Sequence, residues 1–465
     1  MLTNIIFKEL KHNLISLRFL LTLTLTIIII VVSSYIFIGE QRQKEADYNE
    51  LVNINNKNLN DNSNNLSALS QMTQRIHIKP TKMEIVAEGG LKSLPKLFEI
   101  TTFNISEPVN IQRENKYLGD FADVDWAFIV AFILSFFAIL LTYNSINGEK
   151  RDGTLRLLMS NSINRNSVII GKYLSGISSI GFPLIIGIII SMVIISLYGQ
   201  ISFTGEYLIK IFIFIAASLF YLSIFILIGI LISSITKNPI TSIIISLFIW
   251  ISSAVLIPNS GSIIAAKLSP IPSYNEYDRQ VRHTRSEISD AHRARYARTF
   301  RWNGDIWAEW VPYRCAAVQE IDETRNSMWN NYMYQRLNQV KKTRTALSIS
   351  PTAVFNSLSE QICTTGLDRF QHFYEQIWNY RNTFKEFITE KDRLDTESPH
   401  LIYSWEETPM SQKPVDSNSI PRFQENQQPL RSTLKNALFN FAILIVFNMI
   451  LFILVYFTFS KYDVR

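Results

Sequence analysis

The feature that most constrains this chain is a set of six apolar runs, at residues 19–39, 125–146, 174–198, 207–235, 239–258 and 436–460. Each is close to the ~20 residues that an α-helix needs to cross ~30 Å of hydrocarbon. Inside that layer there is no water to bond the backbone, so each run must satisfy its own amides and carbonyls as a helix. The expected fold is therefore an all-α integral membrane bundle of six transmembrane helices. Two large polar segments, 40–124 and 259–435, are left outside it. Bulk composition does not show this, because 47% hydrophobic residues also suits a large globular chain.

The runs differ in character. In the third, Pro183 lies between Gly181 and Gly187 and a kink is expected there. The fifth carries enough Ser and Thr to suit a helix packed within the bundle. The first is longer than a signal-peptide core and is followed by no small-residue cleavage site, so it reads as an uncleaved anchor. Ahead of it, Ile5, Ile6, Leu10, Leu14 and Leu17 recur at helical spacing, with Lys8, Glu9, Lys11 and Arg18 on other faces. Residues 1–18 thus fit an amphipathic helix lying in the headgroup plane, or simply the polar start of the first run.

Basic residues give the orientation. Lys8, Lys11 and Arg18 precede the first run, and Lys150, Arg151, Arg156, Arg165 and Lys172 fill the insert 147–173. Lys237 lies between runs four and five, and Lys461 and Arg465 follow the sixth. Short basic loops stay in the cytoplasm. Both termini, with the tail 461–465, are expected there, in a multi-pass protein of the cytoplasmic (inner) membrane embedded in its lipid bilayer. Lys210 is the exception, near the outer end of the fourth run, where a long side chain can snorkel. The net charge of +6 sums over two compartments and gives no reason to expect a nucleic-acid partner.

The first outer segment opens with LVNINNKNLNDNSNNLSALSQ, which suits a long helix or a disordered hinge. MEIVAEGG and LFEITTFNIS follow, β-branched and aromatic runs punctuated by Gly89, Gly90, Pro95 and Pro108, so a small strand-containing unit is expected. The second outer segment reads as mainly helical, over about 275–346, where Gly304 and Pro312 are the breakers, and again over 367–393. Pro414, Pro421 and Pro429 mark an irregular return to the membrane. Both cysteines, Cys315 and Cys363, fall in this segment. On an oxidising side they fit a disulfide tying two helices, or two buried free thiols. Trp302, Trp307, Trp310, Trp329 and Trp378 fit the core of a helical domain better than a substrate-facing surface. His283 and His292, with no thiols nearby, read as surface residues rather than metal ligands.

Function is narrowed by chemistry the chain lacks. No run carries an internal Asp or Glu, the groups on which ion-coupled carriers depend. There is no GxxxxGK[ST] phosphate loop, since the Gly171-Lys172 pair has Asn166 where the first glycine is required. Leu174-Ser175-Gly176-Ile177 resembles an ATPase signature only by chance, at the mouth of a membrane run. No nucleophile elbow, zinc-protease motif or carboxylate pair points to catalysis. The chain is expected to be no enzyme and to hold no cofactor, with ATP and Mg bound by a partner. Energy would then enter through the insert 147–173. There Gly153-Thr154 can start a short helix, with Thr154 or Asp152 capping its amides. Leu155, Leu158 and Met159 share one face ringed by Arg156, an apolar plug suited to a groove on another protein.

The pattern Glu149-x-x-x-Gly153-Thr154-Leu155-x-x-Leu158, followed by Ser160, Arg165 and Gly171-Lys172, resembles the coupling segment of type 2 ABC exporter permeases. Phe7-Lys8-Glu9-Leu10 is similar to the interfacial elbow helix of that family. The chain departs from the commonest form at Ser162, where a proline often stands. Pro80, Gly89 and Pro95 in the first outer segment are similar to motifs of a bacterial subfamily with enlarged extracytoplasmic segments. So are Leu347-Ser348-x-Ser350-Pro351, Thr364-x-Gly366, Phe373 and Tyr380 in the second. The resemblance covers nearly the whole chain. It implies an ATPase-coupling surface made by Glu149, Asp152, Gly153, Thr154, Leu155 and Leu158, held at the membrane edge by Arg165 and Lys172. It also implies ABC ATPase subunits, a second permease copy or a related permease, and an exported substrate. The alternative is a mechanical signalling subunit that acts on an extracytoplasmic partner without transport.

Overall fold

A computed structural model describes residues 2–89, 94–106, 124–160, 164–199, 203–299, 306–404 and 409–461. Gly90, Pro108, Ser162, Trp302, Gly304 and Arg465 lie outside them, as does the Trp307 side chain. Among the described residues six helices are long and apolar enough to cross a membrane: Leu17–Asn64, Trp126–Arg151, Arg165–Gly199, Gly205–Ile235, Pro239–Asn259 and Arg431–Ser460. The chain is an all-α membrane bundle carrying a mostly helical head on the side opposite the insert.

The fourth span is the axis of the bundle, with Phe214, Tyr221, Phe225 and Ile230 fully buried along its length. It packs closely on the second span at Gly229, where an added Cβ would sit 2.0 Å from Thr142 Oγ1. Small residues let membrane helices approach in this way. The second span takes π geometry over Ile129–Leu134, and the Tyr221 hydroxyl donates to Ala131 O there at 2.8 Å. Pro183 is buried within the continuous third helix, Arg165–Gly199. In the fifth, Ser242 and Ser246 are turned inward, and the Ser242 hydroxyl donates to Tyr143 O at 2.5 Å.

A short helix, Leu2–Ile15, precedes the first span. Ser16 breaks the chain and caps the next helix by accepting from Phe19 N. That helix then runs from Leu17 to Asp61, 45 residues without interruption. The Asn-rich run is therefore its far end, and the asparagines act as brackets. Asn55 accepts from Arg75 N at 3.1 Å, and Asn56 and Asn60 accept from Arg422 at 2.9 and 2.8 Å.

In the head, β1 (Gln74–His77), β2 (Leu97–Ile100) and β3 (Ile105–Ser106) form an antiparallel sheet in that order, with Gln74 opposite Ile100 and Glu99 opposite Ser106. Strand alternation turns Ile76, Phe98, Ile100 and Ile105 to one face. They pack on aromatics from the helices Tyr274–Thr299, Ile306–Leu347 and Leu367–Arg393. Trp329 is buried in this core with Trp378 packed against it, and Trp310 borders a smaller cluster. His292 is buried rather than at the surface, its Nε2 2.7 Å from Glu320, while His283 faces Glu287 separately.

One piece of the second outer segment rejoins the spans. The wedge helix, Pro351–Cys363, is 13 residues long, too short to cross a membrane. It buries Val354, Phe355, Leu358 and Ile362 in the core of the bundle, with Phe355 stacked on Tyr221 at 4.4 Å. Ser350 starts it by accepting from Ala353 N at 3.2 Å and donates to Ser253 O at 2.5 Å. Thr364 ends it in the left-handed region, φ 57°. Of the two readings of the cysteines, this placement matches the buried free thiols and not the disulfide. Cys363 closes the wedge helix in the bundle core, whereas Cys315 packs with Val311 and Tyr403 in another cluster, and both are free thiols. Burial pushes the Cys315 thiol up to about 11, so it stays neutral.

Candidate coupling site

The insert folds as two short helices, Asn147–Arg151 and Thr154–Ser160. They are joined at Gly153, whose φ of +73° is a conformation that glycine adopts without strain. The Gly153 amide donates to Lys150 O at 3.1 Å. The Thr154 hydroxyl donates back to Glu149 O at 3.2 Å, and the Asp152 carboxylate meets Arg151 Nε at 3.2 Å. Neither side chain is seen capping the second helix, so both fasten the turn instead.

The start of the insert is bolted to the fourth span. Ser233 Oγ accepts from the Ile146 and Asn147 amides at 2.9 and 3.2 Å, and Asn147 Nδ2 donates to Thr236 Oγ1 at 3.0 Å. The apolar stripe of the second insert helix follows the same direction. Leu155 is 0% and Leu158 8% exposed, both within the core of the chain's own bundle. The expectation that these two leucines face a partner is thereby corrected. An amphipathic stripe packs on the nearest apolar surface, and here that surface is intramolecular. What faces outward is Arg151, Asp152, Gly153, Thr154, Arg156, Leu157 and Ser160, with Leu157 68% exposed.

Lys172, in the third span, is buried and touches two carboxylates. Its Nζ lies 3.2 Å from Glu9 Oε1 and 2.9 Å from Glu149 Oε1. One ammonium thus ties together the N-terminal helix, the insert and the third span. The same junction is close-packed at Gly171, where a Cβ would come within 2.7 Å of Ile5 Cγ2. Asn13 Nδ2 donates to Ser175 Oγ at 3.1 Å. Arg18 reaches the end of the second span, donating to Leu140 O, Asn144 Oδ1 and Tyr143 Oη at 3.2, 3.1 and 3.0 Å. Arg165 donates to Phe459 O at 3.3 Å and Ser460 O at 2.5 Å, capping the carbonyl end of the sixth span. A cation there meets the negative end of the helix dipole.

Of the residues singled out in the sequence, Glu149 and Lys172 are brought together, and Arg165 fastens a separate junction with the sixth span. Asp152, Gly153 and Thr154 lie on the exposed rim, and Leu155 and Leu158 lie beneath it. Sequence reasoning did not single out Leu157 or Ser233, nor Glu9 as a partner of Lys172. Leu157 was findable, because the 155/158 spacing leaves position 157 on the opposite side of the helix. Glu9 lies 163 residues from Lys172 and gives no local signal. Among the described residues no cluster of three or more His, Cys, Asp or Glu is placed to hold a metal. The exposed polar rim is thus fastened to the third and fourth spans and, through Lys172, to the N-terminal helix.

A family model described as ABC-2 family transporter protein matches residues 3–464. No curated protein matches the chain.

Proposed function

Because the chain belongs to the ABC-2 family of transporter proteins, and so is a membrane permease of an ABC system, we propose that it is the permease subunit of an exporter. A separate ATPase drives it by pressing on the insert. The observation that carries this reading is the two-sided insert. Leu155 and Leu158 root it in the bundle and Lys172 locks it to the third span, while Thr154, Arg156 and Leu157 are exposed at its surface. A central side chain that a surrounding rim shields from water, with an arginine beside it, is an arrangement that suits a docking hot spot.

In this reading the insert and both termini face the cytoplasm, the head lies outside, and the protein resides in the cytoplasmic membrane. ATP and Mg are bound by the ATPase. This chain's own residues transmit the closure of the ATPases through Glu149, Lys172 and Arg165 to the third and sixth spans. Such coupling requires the nucleotide to favour one of two bundle arrangements. A second copy, or a related permease, completes the transporter. The fifth and sixth spans have most surface left for it or for lipid, with 22% and 17% of their apolar windows buried.

The test is Leu157→Asp in the assembled permease and ATPase. ATPase capture is expected to weaken by roughly 30-fold or more, with stimulated ATP hydrolysis lost and membrane insertion normal. Arg156→Glu should act in the same direction. Wild-type capture and hydrolysis in Leu157→Asp would sink the assignment.

A further inference from the structure

A cavity of about 210 Å³ lies where four elements meet: the end of the helix Ile306–Leu347, the wedge helix, the start of the helix Leu367–Arg393 and the first turns of the sixth span. Its lining carries charges of both signs. Arg344 Nη2 is 2.7 Å from Glu360 Oε2, Lys341 Nζ donates to Gln371 Oε1 at 2.5 Å, and Asn436 Nδ2 donates to Asp368 Oδ2 at 3.3 Å. These contacts leave hydrogen-bonding capacity over, since an ammonium has three donors, a guanidinium five, and a carboxylate about four acceptor sites. By the measure in which one water fills ~10–15 Å³, the space holds roughly 14 to 21 waters and exceeds a phosphate ion.

The depth of the cavity indicates the class of ligand. Asn436 and Phe439 belong to the first turns of the sixth span, the level at which headgroups flank the hydrocarbon. Beside the polar lining, Leu438 and Phe439 are 64% and 68% exposed. A ligand that satisfies the whole site carries an anion and a cation at one end and apolar chains at the other. A free anion would leave Asp368 and the apolar flank unused.

We propose that this cavity binds the zwitterionic headgroup of a phospholipid in the leaflet on the head side. The phosphate lies at Lys341 and Arg344, the ammonium at Asp368, and the acyl chains along Leu438 and Phe439. The site is remote from the insert, and it stands whatever drives the permease or passes through it.

Purified full-length protein in mild detergent is titrated with phosphatidylethanolamine and separately with phosphatidylglycerol, and bound lipid is counted by native mass spectrometry. Asp368→Asn is expected to weaken phosphatidylethanolamine by roughly five- to tenfold and to leave phosphatidylglycerol no weaker. Lys341→Gln, at an exposed position, should weaken both. Ser357→Trp, which fills the cavity, should remove both. Glycerophosphoethanolamine and inorganic phosphate are the competing arms. If either displaces lipid at concentrations comparable to the lipid's own, the site takes a soluble phosphate and the lipid assignment is overturned. An unchanged preference for phosphatidylethanolamine in Asp368→Asn, in protein whose thermal unfolding matches wild type, overturns it as well.

Discussion

Lys172 shows how much one side chain can decide. The exposed Arg151–Asp152 pair, despite its 3.2 Å contact, is worth at most ~1 kcal/mol because water screens it. The Lys172 ammonium is buried between Glu9 and Glu149, so deleting it leaves two carboxylates facing each other without a counter-charge. Breaking a buried pair in this way costs ~3–5 kcal/mol, whereas replacing all the charges can be nearly neutral. Lys172→Met is therefore expected to lower the thermal unfolding midpoint in detergent markedly. The triple variant Glu9→Gln/Lys172→Met/Glu149→Gln should recover more than half of that loss. A wild-type midpoint for Lys172→Met would show that the triad contributes nothing. Arg165 works differently, because its partners are the carbonyls of Phe459 and Ser460, which water can replace. It holds the start of the third span against the end of the sixth.

At the scale of elements, the glycine with least room among the described residues is Gly229, which packs against Thr142. The Thr142 hydroxyl is bonded to Ala138 O at 2.7 Å, and the Thr142 backbone lies 3.3 Å from the position of an added Cβ. Rotating the threonine side chain therefore cannot make enough room, and the two helices must separate. Gly229→Ala should cost ~1–3 kcal/mol as an overpacked contact, and Gly229→Ala/Thr142→Ala should return part of it, both read by thermal unfolding. The spans themselves were legible because length and apolarity alone decide whether a helix suits a membrane. The wedge helix was not. Its Val354, Phe355, Leu358 and Ile362 make the stripe of any amphipathic helix, and nothing local says that this stripe packs among spans. The insert was half legible. Its place between the second and third spans and its Gly153 turn could be read directly. The direction of Leu155 and Leu158 could not, since such a stripe fits a partner's groove as well as the chain's own core.

The whole molecule is organised around a rod. The helix Leu17–Asp61 spans about 68 Å at 1.5 Å per residue, more than twice the thickness of the hydrocarbon layer. At its near end Arg18 ties it to the second span, beside the helix whose Glu9 meets Lys172. At its far end Leu59 packs with Leu66, Leu69, Phe384 and Ile388, and Arg422 clamps Asn56 and Asn60. The insert, the bundle and the head are thus connected by one uninterrupted element. A displacement of the insert should reach the head along it rather than through the loops. Glu50 is exposed on the part of the rod beyond the notional span, so Glu50→Pro tests this route without touching the rim. A proline there removes one helical hydrogen bond and kinks the rod at a local cost of ~3 kcal/mol. With spin labels at the exposed positions Lys11 and Asn418, wild-type permease with its ATPase should change label separation between nucleotide states. Glu50→Pro should retain ATPase capture and hydrolysis but lose that change, while Glu50→Ala retains both. An unchanged nucleotide-dependent separation in Glu50→Pro would show that the head follows the bundle by another path, and the rod would then be a strut rather than a transmission.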